Sequence, residues 1–256
     1  MELLDMNNLL VGKTAIITGG SKGIGAASAI LMASQGANVV IGGRDDASLA
    51  ATKAEIDALN RGKCVCVKGD ADDPENPKAL VDAALNNFGG LDILLCSAGM
   101  ALRKKSLDMP REEWDRVMNV NLTAPVMLSL ECLRIFEKQN SGNIVYISSD
   151  SGKELNMGAS PSYGASKAAL LYLTRHFARE FAPNNVRVNA ILPGPTDTEI
   201  TKTWTPEHRA NVMNALPLGR LGKPEDVAYS VLLLVSSMSE NISGSCITIN
   251  GGKSMT

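Results

Sequence analysis

The sequence predicts a doubly wound α/β fold, a parallel sheet of about seven strands with helices on both faces. Strand-like and helix-like patterns alternate along the 256 residues. The strand-like runs, such as Ile93-Leu-Leu95 and Ile144-Val-Tyr-Ile147, are continuously apolar, as strands covered on both faces read. No linker, low-complexity tract or repeat interrupts the alternation, so 1–256 is expected to form a single domain.

In chain order, residues 1–10 read as a loose lead-in, and strands are expected at 13–18, 37–42, 63–68, 91–96, 142–148, 185–192 and 245–249. Helices are expected at 23–35, 46–59, 74–87, 111–138, 160–182, 198–214 and 224–237. The first strand runs into Thr18-Gly-Gly-Ser-Lys-Gly-Ile-Gly25, and the helix-forming run Ala26–Ala33 follows. A strand, a glycine turn and a helix start aim backbone N–H groups and the positive end of a helix dipole at one point, where a phosphate fits. Gly19 allows the tight turn, Gly23 close approach of the backbone, and Gly25 packing of helix on strand. Ser21, Lys22 and Ile24 lie in the same loop. The spacing from Gly19 to Gly23 is wider than in the usual dinucleotide fingerprint, and a plain strand-to-helix turn is the alternative.

Composition narrows the function classes. The chain is 45% hydrophobic and 4% aromatic with net charge -2, which gives no broad electrostatic case for nucleic acid. No apolar run approaches the roughly 20 residues of a membrane span, and no signal peptide opens the chain. Five cysteines lack metal-ligand spacing; Cys64 and Cys66 share one side of a strand and read as small buried apolar residues. A soluble, cytoplasmic protein without a metal site is expected.

In such a sheet the ligand lies at the carboxyl ends of the strands. After the second strand stands Gly42-Gly-Arg44. An acid that would bind ribose hydroxyls is missing at Gly43, and Arg44, with Lys22 near it, can grip a 2′-phosphate, so NADP(H) is expected over NAD. Asp70, with Ala71 beside it, follows the third strand and is placed to meet an adenine amino group. Ser148-Ser149 follow the fifth strand, and Tyr163-Gly-Ala-Ser-Lys167 opens a helix. Four helical residues span ~400°, so Tyr163 and Lys167 share a face. An ammonium beside a phenol favours phenolate, and bringing a phenol from near 10 to neutrality takes about 4 kcal/mol. A tuned phenol suits reversible ketone–alcohol chemistry. Spacing alone equally allows a packed Tyr163 and a solvated Lys167. His176 and His208 read as surface or packing residues, and Arg103-Lys104-Lys105 as a solvated loop at the edge of the site.

These motifs resemble the short-chain dehydrogenase/reductase family. The resemblance spans the chain and rests on Thr18-Gly19…Gly23-Ile24-Gly25, Asn121-Leu122, Ser149, Tyr163…Lys167, Pro193-Gly194 with Thr198, Gly219-Arg220-Leu-Gly222…Pro224-Glu225, and Asn250-Gly-Gly252. It implies a Rossmann-type fold and a catalytic set of Asn121, Ser149, Tyr163 and Lys167. By the resemblance Tyr163 is the general acid/base, Lys167 holds the nicotinamide ribose and tunes the phenol, and Ser149 rather than Ser148 binds the substrate carbonyl. Asn121 positions a water that links Lys167 to solvent. Pro193-Gly194 backs the nicotinamide, and Thr196 and Thr198 bind near its carboxamide or the pyrophosphate. The family's Asn-Asn-Ala-Gly is Cys96-Ser97-Ala98-Gly99 in this chain, with Ser97, Ala98 and Gly99 at the cofactor positions. The stretch from Ser149 to Tyr163 is about one residue longer than in many relatives.

Residues 196–216, carrying Trp204 and Met213, read as a substrate-side flap. The leading function is an NADP(H)-dependent oxidoreductase of free ketones and secondary alcohols, the second a 3-oxoacyl-[acyl-carrier-protein] reductase, and the third, from another class, a nucleotide-binding regulator without catalysis, against which the complete Asn121, Ser149, Tyr163 and Lys167 set speaks. The carrier reading needs basic residues late in the long helix, where Arg134 stands between Glu131 and Glu137. The resemblance also implies a homotetramer through the helices at 111–138 and 160–182 and the last strand. Val117, Leu122, Val126, Ala169, Leu173 and Phe177 are the apolar positions that argue for a second buried face.

Overall fold

In the computed structural model, residues 5–202 and 204–255 are described. One parallel sheet in the order β3-β2-β1-β4-β5-β6-β7 is the frame. The strands are β1 Thr14–Thr18, β2 Asn38–Gly43, β3 Cys64–Lys68, β4 Ile93–Cys96, β5 Gly142–Ile147, β6 Val186–Pro193 and β7 Cys246–Ile249. The helices are α1 Gly23–Ser34, α2 Asp46–Ala58, α3 Asn76–Phe88, α4 Arg111–Met118, α5 Ala124–Gln139, α6 Pro161–Glu180, α7 Glu199–Lys202, α8 Pro206–Asn214 and α9 Pro224–Val235.

Strand alternation builds two cores. Ile17 pairs in register with Ile41, and both enter the layer shared with Met32 of α1, Ile56 of α2 and Val231 of α9. Ile16, level with Val40 and Leu94, points the other way, into the layer of Leu80 of α3, Phe136 of α5 and Leu170 of α6. Both faces are covered, which is why the strands carry no polar alternation. Cys64 is buried, and burial pushes its thiol up to about 12. It therefore packs as a small apolar residue.

The order of the strands places the site. The chain winds outward from β1 in one direction and from β4 in the other, so the loops after these neighbours diverge and open a crevice above their carboxyl ends.

Three local expectations change. The helix expected at 111–138 is two helices joined by a wider turn at Asn119–Thr123, where the Ala124 N–H reaches back five residues to Asn119 O. Pro125 has no N–H to offer Asn121 O, and its ring would crowd that carbonyl, so the helical ladder opens just before it. The helix expected at 198–214 is the two short helices α7 and α8. Of the expected lead-in, residues 1–4 lie outside the described residues, and Leu10 is not loose: it is 1% exposed within the first core, with its N–H on Gln35 O. In the face proposed for assembly, Val117 and Phe177 are buried inside the chain itself; the exposed apolar side chains of α5 and α6 include Met127 and Tyr172.

Candidate active site

The loop after β1 turns through Gly19 at φ +66° and Gly23 at φ +55°. A Cβ on Gly19 would stand 2.9 Å from the Ala98 backbone. The loop after β4 therefore lies directly against the glycine turn. Gly25 faces away from the crevice: a Cβ there would lie 2.2 Å from Gly19 O, so its bare backbone seats the helix on the turn and lines no cavity. Helix α1 begins with no side-chain cap and no acid in its first turn. Its leading N–H groups and dipole are left to the crevice, which suits a diphosphate.

The crevice is a cleft of about 690 Å³. Gly19, Ser21, Lys22, Gly23 and Ile24 line one part of it, Arg44, Asp70 and Ala71 a second, and Ser97, Ala98 and Gly99 a third. Ser149, Tyr163 and Lys167, with Pro193, Gly194, Thr196 and Thr198, complete it. All the residues expected at the site are thus brought together except Gly25 and Asn121, which stand just behind its wall.

At the β2 end, Arg44 lies 3.7 Å from Asp70 and Lys22 lies 3.3 Å from Asp45. Asp45 is an acid the sequence reading passed over. Its carboxylate caps α2, accepting from Ala47 N and Ser48 Oγ, and the Ser48 bond with help from Lys22 holds its carboxyl down to about 2. It is turned to the helix rather than the cleft. Thr196 donates to Gly194 O, and its backbone bridges Gly222, closing the base of the 196–216 segment. The Thr198 methyl would be 3.3 Å from a Cβ on Gly23, so this residue roofs the glycine loop.

Asn121 sits in the widened turn and is 1% exposed. Its amide accepts from Met100 N and donates to Met100 O, pinning the loop after β4. A Cβ on Gly99 would lie 3.4 Å from Asn121 Oδ1 and 3.5 Å from Lys167 Nζ, so the bare glycine leaves a gap between these two polar groups.

Ser160 caps α6 and accepts from Tyr163 N, with Pro161 in the first turn, which fixes Tyr163 at the mouth of the helix. The Lys167 ammonium donates to Ile147 O at 2.8 Å, and burial lowers it to about 8. Burial pushes the Tyr163 phenol above its ordinary value, hydrogen bonding with Ser149 draws it back, and the Asp150 carboxylate pushes it further up. The sequence reading expected Lys167 to lower the phenol. In this arrangement its Nζ lies 5.8 Å from the ring centre and one of its three N–H groups is bonded to Ile147 O, and burial sets the direction for the phenol. Of the two serines, Ser148 donates to Lys167 O and is used up structurally, while Ser149 faces Tyr163.

Besides Asp45, three features carry no signal in the sequence. Asp150 is 5% exposed beside Ser149 and is ion-paired with Lys253. His208 of α8 meets Arg103 at 3.1 Å, and Arg103 stacks over Trp204 at 5.1 Å, so the loop after β4 touches the 196–216 segment across the cleft mouth. Thr18 Oγ1 accepts from both Ser97 N and Ala98 N.

The family model described as enoyl-(acyl carrier protein) reductase matches residues 19–254. A crystal structure of a short-chain type dehydrogenase/reductase from Mycobacterium marinum superposes with a TM-score of 0.93 at 34% identity, covering 98% of each chain. The chain belongs to the short-chain dehydrogenase/reductase family. Other members are similar over nearly their whole length. The 3-oxoacyl-[acyl-carrier-protein] reductase of Thermotoga maritima is 35% identical across 95% of this chain and 98% of its own. The cis-4-hydroxycyclohexanecarboxylate dehydrogenase of Sinomonas cyclohexanicum is 35% identical across 96% of this chain and 98% of its own. The family uses a nicotinamide nucleotide, and the uncapped α1 and its glycine turn fit the diphosphate of one. The chain is thus an oxidoreductase of this family, and no helix among the described residues is long and apolar enough to cross a membrane.

Proposed function

We propose that the protein is an NADP(H)-dependent oxidoreductase that interconverts a ketone and a secondary alcohol, with Tyr163 as general acid in reduction and general base in oxidation. When bound, the nicotinamide supplies or accepts the hydride. Ser149 donates to the substrate oxygen and aligns it with Tyr163. The Tyr163 hydroxyl gives its proton to that oxygen as charge develops there, and takes one back in the reverse direction. Lys167 holds the nicotinamide ribose, and Asn121 positions a water in the gap over Gly99 through which Lys167 exchanges protons with solvent. The observation that carries this reading is the meeting of Ser149, Tyr163 and Lys167 in one cleft with the uncapped start of α1.

Preference for NADP(H) rests on Arg44, which is two-thirds exposed and can leave Asp70 to meet a 2′-phosphate, while Asp45 is occupied as a helix cap. We read the whole chain as one domain, with 196–216 as its substrate-side flap, working in the cytoplasm as a homotetramer. The substrate is a free small molecule in this reading. Carrier-bound substrates are the second reading, favoured by the name of the Thermotoga maritima relative. Against it, Arg134 stands between Glu131 and Glu137, so the stretch 130–137 presents no net positive charge to an acidic carrier.

The test is Tyr163→Phe. It keeps the ring but removes the proton donor, so NADPH binding should persist while ketone reduction falls by roughly 10²–10⁴. Near-normal turnover in that variant would overturn the catalytic reading and favour a non-catalytic nucleotide-binding regulator.

A further inference from the structure

The chain ends in a structure with no place in the mechanism above. After β7, Gly251 at φ +66° and Gly252 at φ +80° turn the backbone in a left-handed conformation that side-chain-bearing residues rarely adopt. Asn250 locks this turn: its Oδ1 accepts from Gly252 N at 3.1 Å and its Nδ2 donates to Ser254 Oγ at 2.8 Å. The turn delivers Lys253 to the cleft, where its Nζ lies 2.7 Å from Asp150 Oδ2.

Asp150 is a buried carboxylate whose two oxygens do different things. Oδ2 takes the Lys253 ammonium, whereas Oδ1 accepts from Ser149 Oγ at 3.2 Å and from Ser151 Oγ at 3.3 Å. Ser149 Oγ in turn accepts from Ser151 N at 3.1 Å. The proton of the Ser149 hydroxyl therefore points at Asp150. A buried carboxylate without a counter-ion is costly, so the ion pair is a strong tie. Lys253 is the counter-ion that holds this buried carboxylate in place beside Ser149.

We propose that Lys253, delivered by the C-terminal glycine turn, is a positioning residue that acts through Asp150 on Ser149 and Tyr163, fixing the direction of the Ser149 hydroxyl and the charge that Tyr163 faces. The inference rests on the roles given to Ser149 and Tyr163 under the proposed function. The charged groups packed around the pair are few. Lys167 on α6 is bonded to Ile147 O, Lys153 and Glu154 follow on the Asp150 turn with their backbone N–H groups on Asp150 O, and Lys253 comes from the C-terminal turn. The Asp150 carboxylate raises the Tyr163 phenol, and Lys253 is the cation set against that carboxylate. Lys253 offsets the charge of Asp150, so removing it should leave more of that field on Tyr163, whereas removing the Asp150 charge should abolish the field and release the part-exposed Lys253 ammonium to solvent, where its charge is screened.

The experiment is a near-ultraviolet tyrosinate titration of the full chain without added cofactor, with the Tyr163→Phe titration subtracted to isolate Tyr163. Lys253→Met should raise the midpoint by about one pH unit, and Asp150→Asn should lower it by a similar amount. Lys253→Arg should hold the wild-type midpoint. In the Asp150→Asn background, Lys253→Met should change nothing. The pH profile of alcohol oxidation should follow the same order. Should Lys253→Met alone fail to fold, the Arg variant and the comparison within the Asp150→Asn background decide. A midpoint that ignores Lys253→Met, or that moves equally with and without the Asp150 charge, overturns the proposal. Full turnover in Tyr163→Phe would instead overturn the catalytic reading, and the titration distinguishes the two failures because it needs no turnover.

Discussion

Lys167→Met should make the protein more stable while disabling it. An ordinary lysine releases its proton near 10.5, whereas burial brings Lys167 to about 8. At 1.36 kcal/mol per pH unit, that gap corresponds to roughly 3 kcal/mol by which the folded state disfavours the ammonium. The residue is 5% exposed, so solvent screening removes little of this. Losing the bond to Ile147 O returns about 1 kcal/mol, which leaves a net gain for methionine of about 2 kcal/mol at pH 7. In a chain of this size that is roughly 4–8 °C in melting temperature. The pH dependence follows from the depressed value. Below about 8 both folded and unfolded chains carry the ammonium, and the cost is present in full. As pH rises from there toward 10.5 the folded chain releases its proton first, the cost fades, and wild type catches up with the variant. Thermal unfolding followed by circular dichroism at pH 7 and pH 10, without added cofactor, measures both points. A variant less stable than wild type at pH 7, or a gap that does not narrow with pH, would refute the argument. A destabilising cation at the centre of the fold is what the role proposed for Lys167 leads one to expect.

Further expectations concern the cofactor and the serines. Arg44→Ala should weaken NADPH by about 10–150-fold and leave NADH nearly unchanged, as read by fluorescence titration of both nucleotides; equal affinities in wild type would remove Arg44 from this role. Gly43→Asp is a poor route to NADH preference, since a Cβ at Gly43 would lie 3.0 Å from Ser21 Oγ and 3.3 Å from Leu49, so the variant should lose affinity for both nucleotides. Ser149→Ala should reduce turnover with little change in melting temperature, whereas Ser148→Ala, which frees Lys167 O, should cost about 1 kcal/mol of stability and spare turnover. Free and carrier-bound 3-oxoacyl thioesters should be reduced at similar, salt-insensitive rates; a salt-sensitive preference for the carrier would restore the second reading.

What could be read from the sequence, and what could not, divides along the range of the interaction. The glycine turn and Tyr163…Lys167 are local: a few residues and one helical period place them, and the strands declare themselves by unbroken apolar runs. The pairing of Asp150 with Lys253 spans 103 residues, and neither has a spacing that points to the other. Periodicity marked Val117 and Phe177 as apolar positions, yet it does not say how many partners cover a face, and both are covered by their own chain. The direction of the Tyr163 phenol was misjudged for a related reason. Spacing brings the ammonium to the right side of the helix, but burial of the phenol, which spacing does not report, sets its direction.

The same division explains the departure at Cys96-Ser97. That loop is held by Thr18 Oγ1, which takes two of its backbone N–H groups, and by Asn121, which takes both the N–H and the carbonyl of Met100. Each tie grips backbone, so the loop keeps its place against Gly19 whatever side chain stands at position 97. The residues that hold it, Thr18 and Asn121, are the ones whose replacement the site should not survive.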